Sequence, residues 1–182
     1  MLSRCDGSLS LRRWTPHDRW ALREMNADPQ VMATIGPVMD AAASDALADR
    51  IDHHFSEHGF GLWCVIVDDE PVGWCGLMVP WFRDGVEIGW RLRSTVWGRG
   101  YATRAARLVL AEAFAPEPDV LGLGEVISFT AAVNHRSMAV MERLGMERDS
   151  GGDFLHPGVP PESHLAPHVL YRMSAARYRD GL

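Results

Sequence analysis

The segment "HGFGLWCVIVDDEPVGWCGLMVPWFRDGVEIGWRL", residues 58–92, constrains the fold most, because three apolar runs follow one another with only turn chemistry between them. Leu62 to Val67 and Pro71 to Val79 read as strands around an acidic turn, and "GVEIGWRL" reads as a third. Connections this short cannot carry a crossover helix, so the three strands form an antiparallel meander. A meander in mid-chain excludes regular βα alternation.

The flanks supply the other layers. In "SLSLRRW", Leu9 and Leu11 share one face of a first strand. A helix follows to about Met25, with Thr15 as its cap, Pro16 at the first helical position and Asp18 near the positive end of the helix dipole. "ADPQVMATIG" reads as a short helical turn in a connection. Ser44 is expected to cap a second long helix that lines up Leu47, Ile51 and Phe55. After the meander, "ATRAARLVLAEAFA" is helical until Pro116 and Pro118 end it. "EVISFTA" is a strand, and a helix from about His135 to Leu144 ends at Gly145. The remainder reads as a proline-rich loop, "GDFLHPGVPPESHLAPH", and a short strand, "HVLYRM". The expectation is one mixed α/β domain over residues 1–182, since a chain of this length is too short for two comfortable domains.

Several classes of function are disfavoured. Hydrophobic residues at 47% and charged residues at 23% are the balance of a soluble globular protein. "MLSRCDGSLSL" lacks the basic end and apolar run of a signal peptide, and no transmembrane span is expected, so the cytoplasm is the default location. A net charge of −6 argues against broad nucleic-acid binding, which needs a basic surface. Cys5, Cys64 and Cys75 are an odd set without paired short spacing, which suggests reduced, mostly buried thiols. Cys64 and Cys75 are placed facing each other across the hairpin, without zinc partners. His54 and His58 have the i, i+4 spacing of a metal pair, but with no metalloprotease pattern around them the expectation for His53, His54 and His58 is a solvated helix face and no metal.

The stretch "VWGRGYATRAAR", Val96 to Arg107, puts two glycines at a helix start. Backbone N–H groups there can converge on an anion, with Gly98 and Gly100 allowing close approach and Arg99 adding charge. A plain glycine turn gives the same letters. A Walker-type loop is excluded by the absence of lysine. A Rossmann fingerprint fits weakly, because Thr103 stands at its third glycine and the acidic Asp119 follows the prolines.

Taken in order, "VEIGWRL", "VWGRGYAT" and "NHRSMAVMERLGM" resemble the GNAT superfamily of acyl-CoA-dependent N-acyltransferases, especially its RimJ and RimL-type branch of ribosomal-protein N-acetyltransferases. The similarity extends over most of the chain. It implies a central, mostly antiparallel twisted sheet flanked by helices, with strands splayed at the CoA site. It also implies that Trp97, Gly98, Arg99, Gly100, Tyr101 and Ala102 form the pyrophosphate loop, with N–H groups to about Thr103 holding the diphosphate. Trp90, Arg91 and Leu92 then pair with the pantetheine arm, the N–H of Leu92 or a neighbour polarising the thioester, and Asn134 bonds pantetheine or a water. Arg104 departs from the glutamate that many relatives carry.

For catalysis the resemblance points to Glu87 as the base; the alternative is a solvated Glu87 or one paired with Arg91 on the same strand face. Met141 stands where many relatives place an acidic tyrosine, leaving Ser137 or water to protonate the sulfur. Trp81, Phe82 and His156 are candidates to line the acceptor pocket. The implied partners are acetyl-CoA as co-substrate and a primary amine, on a protein N-terminus or a small molecule, in a chain compatible with a homodimer. A competing reading is a CoA-binding sensor or interaction module with little catalysis.

Overall fold

The computed structural model of the chain describes residues 4–115 and 121–181. Pro116, Pro118, Asp119 and the thiol of Cys5 lie outside the described residues. In chain order the elements are β1 (Arg4–Asp6), β2 (Leu9–Arg12), a 3-10 turn (Pro16–Asp18), α1 (Arg19–Ala27), α2 (Pro29–Met32), α3 (Ala41–His58), β3 (Leu62–Val67), β4 (Glu70–Met78) and β5 (Glu87–Leu92). A second 3-10 turn (Ser94–Val96), α4 (Tyr101–Phe114), β6 (Glu125–Ala131), α5 (His135–Arg143), β7 (Glu147–Leu155), β8 (Pro167–Ser174) and α6 (Ala175–Gly181) follow. The strands make one eight-stranded sheet in the order β1-β2-β3-β4-β5-β6-β8-β7.

The meander is where the apolar runs and their turns place it. Its first turn holds Asp68 and Asp69 at φ 50 and 65, the left-handed conformation that a two-residue hairpin needs to match strand twist. Cross-strand register pairs Trp63 with Cys75 and Cys64 with Trp74, so the two thiols point to opposite faces rather than at each other. Both are free and buried. Burial pushes the Cys64 thiol up to about 12 and raises Cys75 as well, which leaves both unreactive.

Among the described residues the β5–β6 junction is the one parallel pairing, and it holds a single register pair, Glu87 with Ile127. It is reinforced by Ile127 N–H donating to Val86 O at 2.9 Å and Ser128 Oγ to Ile88 O at 2.8 Å. Beyond that point the strands part. β5 stays bonded to β4 along its length, as far as Arg93 N–H on Val72 O at 2.8 Å, while β6 is held by β8 from Glu125 to Ala131. Each strand follows its antiparallel partner, and the sheet opens between them.

Helices cover both faces. α4 buries Ala105, Ala106, Val109, Leu110 and Ala113 completely in the main core, against Cys75, Leu77 and Ile88. Leu22, Met25, Val31, Met32 and Ala48 of α1, α2 and α3 form a second cluster, which packs on Trp74 and Trp97.

Four local features differ from the sequence reading. Asp40, not Ser44, caps α3 by accepting the Ala43 N–H at 2.8 Å; Ser44 is buried in the first turn, where its Oγ accepts from Asn26 Nδ2 at 2.9 Å. His54 is not on a solvated face: its Nδ1 lies 2.9 Å from Phe60 O and its Nε2 accepts the Val79 N–H at 3.0 Å, clipping α3 to the end of β4. The first four residues of the expected final loop, Gly152 to Leu155, belong to strand β7, which starts at Glu147. β1 and α6 carry no periodic signal. Among the described residues, no helix is long and apolar enough to cross a membrane, and no group of three His, Cys, Asp or Glu could hold a metal.

At the start of α1, Asp18 accepts from the Thr15 N–H and hydroxyl, both at 2.7 Å, and forks with Arg12 at 2.7 and 2.8 Å. The Arg12 hydrogen bonds hold its carboxyl down to about 2. A depressed acid contributes stability above its unfolded pKa and loses it as pH falls through the folded one. Asp18→Asn is therefore expected to cost about 2 kcal/mol in urea denaturation at pH 7, with the difference from wild type shrinking between pH 4 and pH 2.

Candidate functional site

Sheet register gathers the chemistry on one face. Trp74 is paired with Arg91 and Met78 with Glu87 across β4 and β5, and Ala131 with His168 across β6 and β8. This face floors a cavity of about 350 Å³, near the lower end for small-molecule sites. Trp74, Glu87, Trp90 and Arg91 line one wall, Phe129, Asn134, Ser137, His156 and His168 line the other, and Thr34 and Ile35 lie at the rim.

Glu87 sits at the fork where β5 and β6 part. Burial pushes its carboxyl up to about 8, with the Arg83 guanidinium pulling weakly the other way. It does not pair with Arg91: Arg91 Nη1 instead donates to Asn26 Oδ1 at 2.7 Å. Between them lies Gly89, where a Cβ would stand 3.4 Å from the Trp74 ring and 3.7 Å from Glu87 Oε1. A side chain here would occupy the cavity floor, so glycine keeps the space beside the carboxyl open.

The strand edge beyond the fork offers backbone to a ligand. Val86 O and Ile88 O face β6, and Arg93 N–H faces β4, so alternation turns the peptide groups of Trp90 and Leu92 into the gap. Leu92 O already accepts Trp97 Nε1 at 2.9 Å, which ties the next loop to this edge. In that loop Gly98 and Gly100 both have φ +77, and nothing lies within 4 Å of where their Cβ atoms would be. Backbone conformation, rather than crowding, demands glycine. The first bonded turn of α4 is Arg104 N–H on Gly100 O at 3.1 Å, so the N–H groups just before it are free to converge at the positive end of a 14-residue helix. Arg99 is exposed beside them, and Arg136 stacks on Trp97 at 4.4 Å. Arg104 points elsewhere: its guanidinium lies 5.6 Å from the Tyr101 ring and near the Gly7 turn.

Asn134 caps α5, its Oδ1 accepting the Ser137 N–H at 3.2 Å, and both residues line the cavity. Met141 is 1% exposed in the core, so no acid side chain reaches the site from that position. On the opposite wall Phe82 packs on Phe129, Phe154 and His156, one layer behind the cavity surface. Trp81 is 77% exposed, touches Phe82 edge-on and is not part of the lining. His156 and His168 face each other with ring centroids 4.8 Å apart, and burial lowers the pKa of both.

Sequence reasoning missed Gly89, Asn26, Arg136 and His168. Period-two alternation from Glu87 and from Leu170 reaches Gly89 and His168; Asn26 and Arg136 come to the site through tertiary packing alone.

A protein-family profile described as Acetyltransferase (GNAT) domain matches residues 8–147. A FsC-acetyl coenzyme A-N(2)-transacetylase of Aspergillus fumigatus is 34% identical over 134 residues, 68% of this chain, which spans 55% of that relative's length. An acetyltransferase structure from Agrobacterium tumefaciens str. C58 aligns with TM-score 0.76 and 26% identity over 95% of this chain and 94% of its own. A GNAT-family acetyltransferase from Bacillus anthracis aligns at 0.78 and 23% identity over 97% and 99%.

The Glu87 carboxyl has a stability signature of its own. Its raised pKa means that proton-linked stability is complete below about 4.5 and is lost as pH rises to about 8. Each pH unit in that window costs the folded state about 1.4 kcal/mol. Glu87→Gln is expected to gain on wild type by this increment in urea denaturation from pH 5 to pH 8; parallel pH profiles for the two proteins would refute the buried carboxyl.

Proposed function

The chain belongs to the GNAT acetyltransferase family, and from that premise we propose that it moves an acetyl group from acetyl-CoA directly to a primary amine. The parting of β5 from β6 beside a loop of converging N–H groups carries this reading. An extended, amide-bearing arm fits as an added strand along Trp90 and Leu92, and a diphosphate fits over Gly98 to Thr103. Arg99 and Arg136 add positive charge to that end. The cavity beside Glu87 receives the amine.

In the transfer, the N–H groups of Trp90 and Leu92 face the gap and are the donors available to polarise the thioester carbonyl. The neutral amine forms the new C–N bond, and the C–S bond breaks to release the CoA thiolate. Glu87, as carboxylate, takes the proton that the amine loses. With a pKa of about 8 it is matched to an alkylammonium far better than an ordinary carboxylate. Because a thiolate leaves with a pKa near 8.5, Met141 in the core does not block the reaction, and Ser137 or water protonates the sulfur. Among the described residues no cysteine lines the cavity, which supports direct transfer over a cysteine acyl-enzyme.

The RimJ and RimL-type motifs favour an acceptor of the protein N-terminal or small-amine kind, and free buried thiols suit the cytoplasm. Met141 is the observation that favours a sensor instead; thermal stabilisation by acetyl-CoA without thiol release from any acceptor would select it.

Thiol release with a panel of N-terminal peptides, polyamines and amino acids tests the activity. The kcat/KM of wild type is expected to rise about tenfold per pH unit below an inflection near pH 8, and Glu87→Gln to lose that inflection while still binding acetyl-CoA. An unchanged profile removes Glu87 as base. Gly100→Ala places a side chain at φ +77, which costs about 1–2 kcal/mol. It is expected to weaken acetyl-CoA binding about tenfold in calorimetry, where Arg104→Ala leaves it within about twofold.

A further inference from the structure

The sheet face that carries Glu87 also carries a positive charge without a counter-ion. Arg91 lines the same cavity, and its one hydrogen-bond partner among the described residues is the neutral amide of Asn26. Its Nε is buried without an acceptor, and so is Nε1 of Trp74, whose ring lies 5.4 Å from the guanidinium. The acidic residues nearest in α1 and its C-terminal cap are taken: Glu24 pairs with Arg93 at 2.7 Å, and Asp28 accepts from Ser94. A buried cation with idle donors is costly, and removing such donors from water is explained when a ligand completes them.

A carboxyl and a guanidinium thus stand on the two sides of Gly89 without meeting. The Glu87 carboxyl hangs over Gly89, 3.7 Å from the position of a Cβ there, so it faces along the floor toward Arg91. A polyamine placed in this cavity would satisfy Glu87 and bring a further cation to Arg91. A molecule with an amine at one end and a carboxylate at the other satisfies both, and a guanidinium is the side chain best shaped to fork a carboxylate.

We propose that the acceptor is a small amino acid, its amine directed at Glu87 and its carboxylate held by Arg91. This rests on the transfer reading of the same cavity and narrows it to amines that carry a carboxylate. Asn26 is then a positioning residue: it aims the guanidinium without neutralising it, and a carboxylate at that position would take the place of the ligand's own.

The test compares amino acids with their decarboxylated twins: ornithine with putrescine, lysine with cadaverine, phenylalanine with phenethylamine. In thiol release with the full chain and acetyl-CoA, kcat/KM for at least one amino acid should exceed that of its twin by at least about tenfold, chiefly through KM. Asn26→Asp, nearly isosteric, and Arg91→Gln should both bring that ratio close to one. The same contrast is read without turnover as thermal stabilisation by the amino acid, and not by its twin, in the presence of CoA. Absence of thiol release would therefore defeat the transfer reading while the binding arm still decides this one. Twins equal to or better than the amino acids overturn the proposal. So does an Arg91→Gln protein that slows every acceptor by one factor and binds acetyl-CoA more weakly, since that assigns the guanidinium to the pantetheine arm.

Discussion

The rest of the site depends on a competition between hydrogen-bonded ladders. β5 is committed to β4 and β6 to β8, and the antiparallel ladders leave their shared parallel edge only one register pair. The opening is therefore a product of strong pairing on either side, not of local weakness. It exposes peptide groups that folding alone would have paired, and it does so beside a helix start whose own N–H groups are idle. Sheet edge and loop leave unfinished hydrogen bonding side by side, which the proposed extended anionic ligand would complete.

Charge placement follows the same logic at the cavity. Surface pairs such as Arg23 with Asp45 or Arg177 with Glu147 are complete and exposed, and contribute little beyond local order. The cavity instead keeps a carboxyl pushed out of its usual range and a guanidinium without an anion, separated by a glycine. Such an arrangement is unfavourable by itself, and the contact of α1 with β5 through Asn26 and Arg91 holds it in place.

Much of this was legible in the sequence, for identifiable reasons. The three meander strands are apolar runs between short turns, and β6 is a further apolar run; their boundaries agree with the observed ones to within two residues. The Gly98 and Gly100 loop was legible because a positive φ restricts the residue type. β7 was not: its residues are mostly exposed, it contains Gly151 and Gly152, and its register with β8 breaks between Asp149 and Phe154, so no period-two pattern forms. Ser44 and Asp40 are both cap residue types, and only the buried hydrogen bond from Asn26 decides between them. The Asn26–Arg91 contact joins positions 65 apart, beyond any local signal. Trp81 was singled out by chemistry alone, and nothing in its flanks says that its ring turns to solvent.

The bond from Trp97 Nε1 to Leu92 O gives the strand edge a direction. With that carbonyl engaged by an indole, a chain laid along β5 meets a donor at Leu92 and an acceptor that is already occupied. A ligand with amides of fixed order can match this edge in one sense and not in the reverse. In the proposed complex, the loop that would hold one end of the molecule also sets which way round the remainder must lie, and so which end arrives at Glu87.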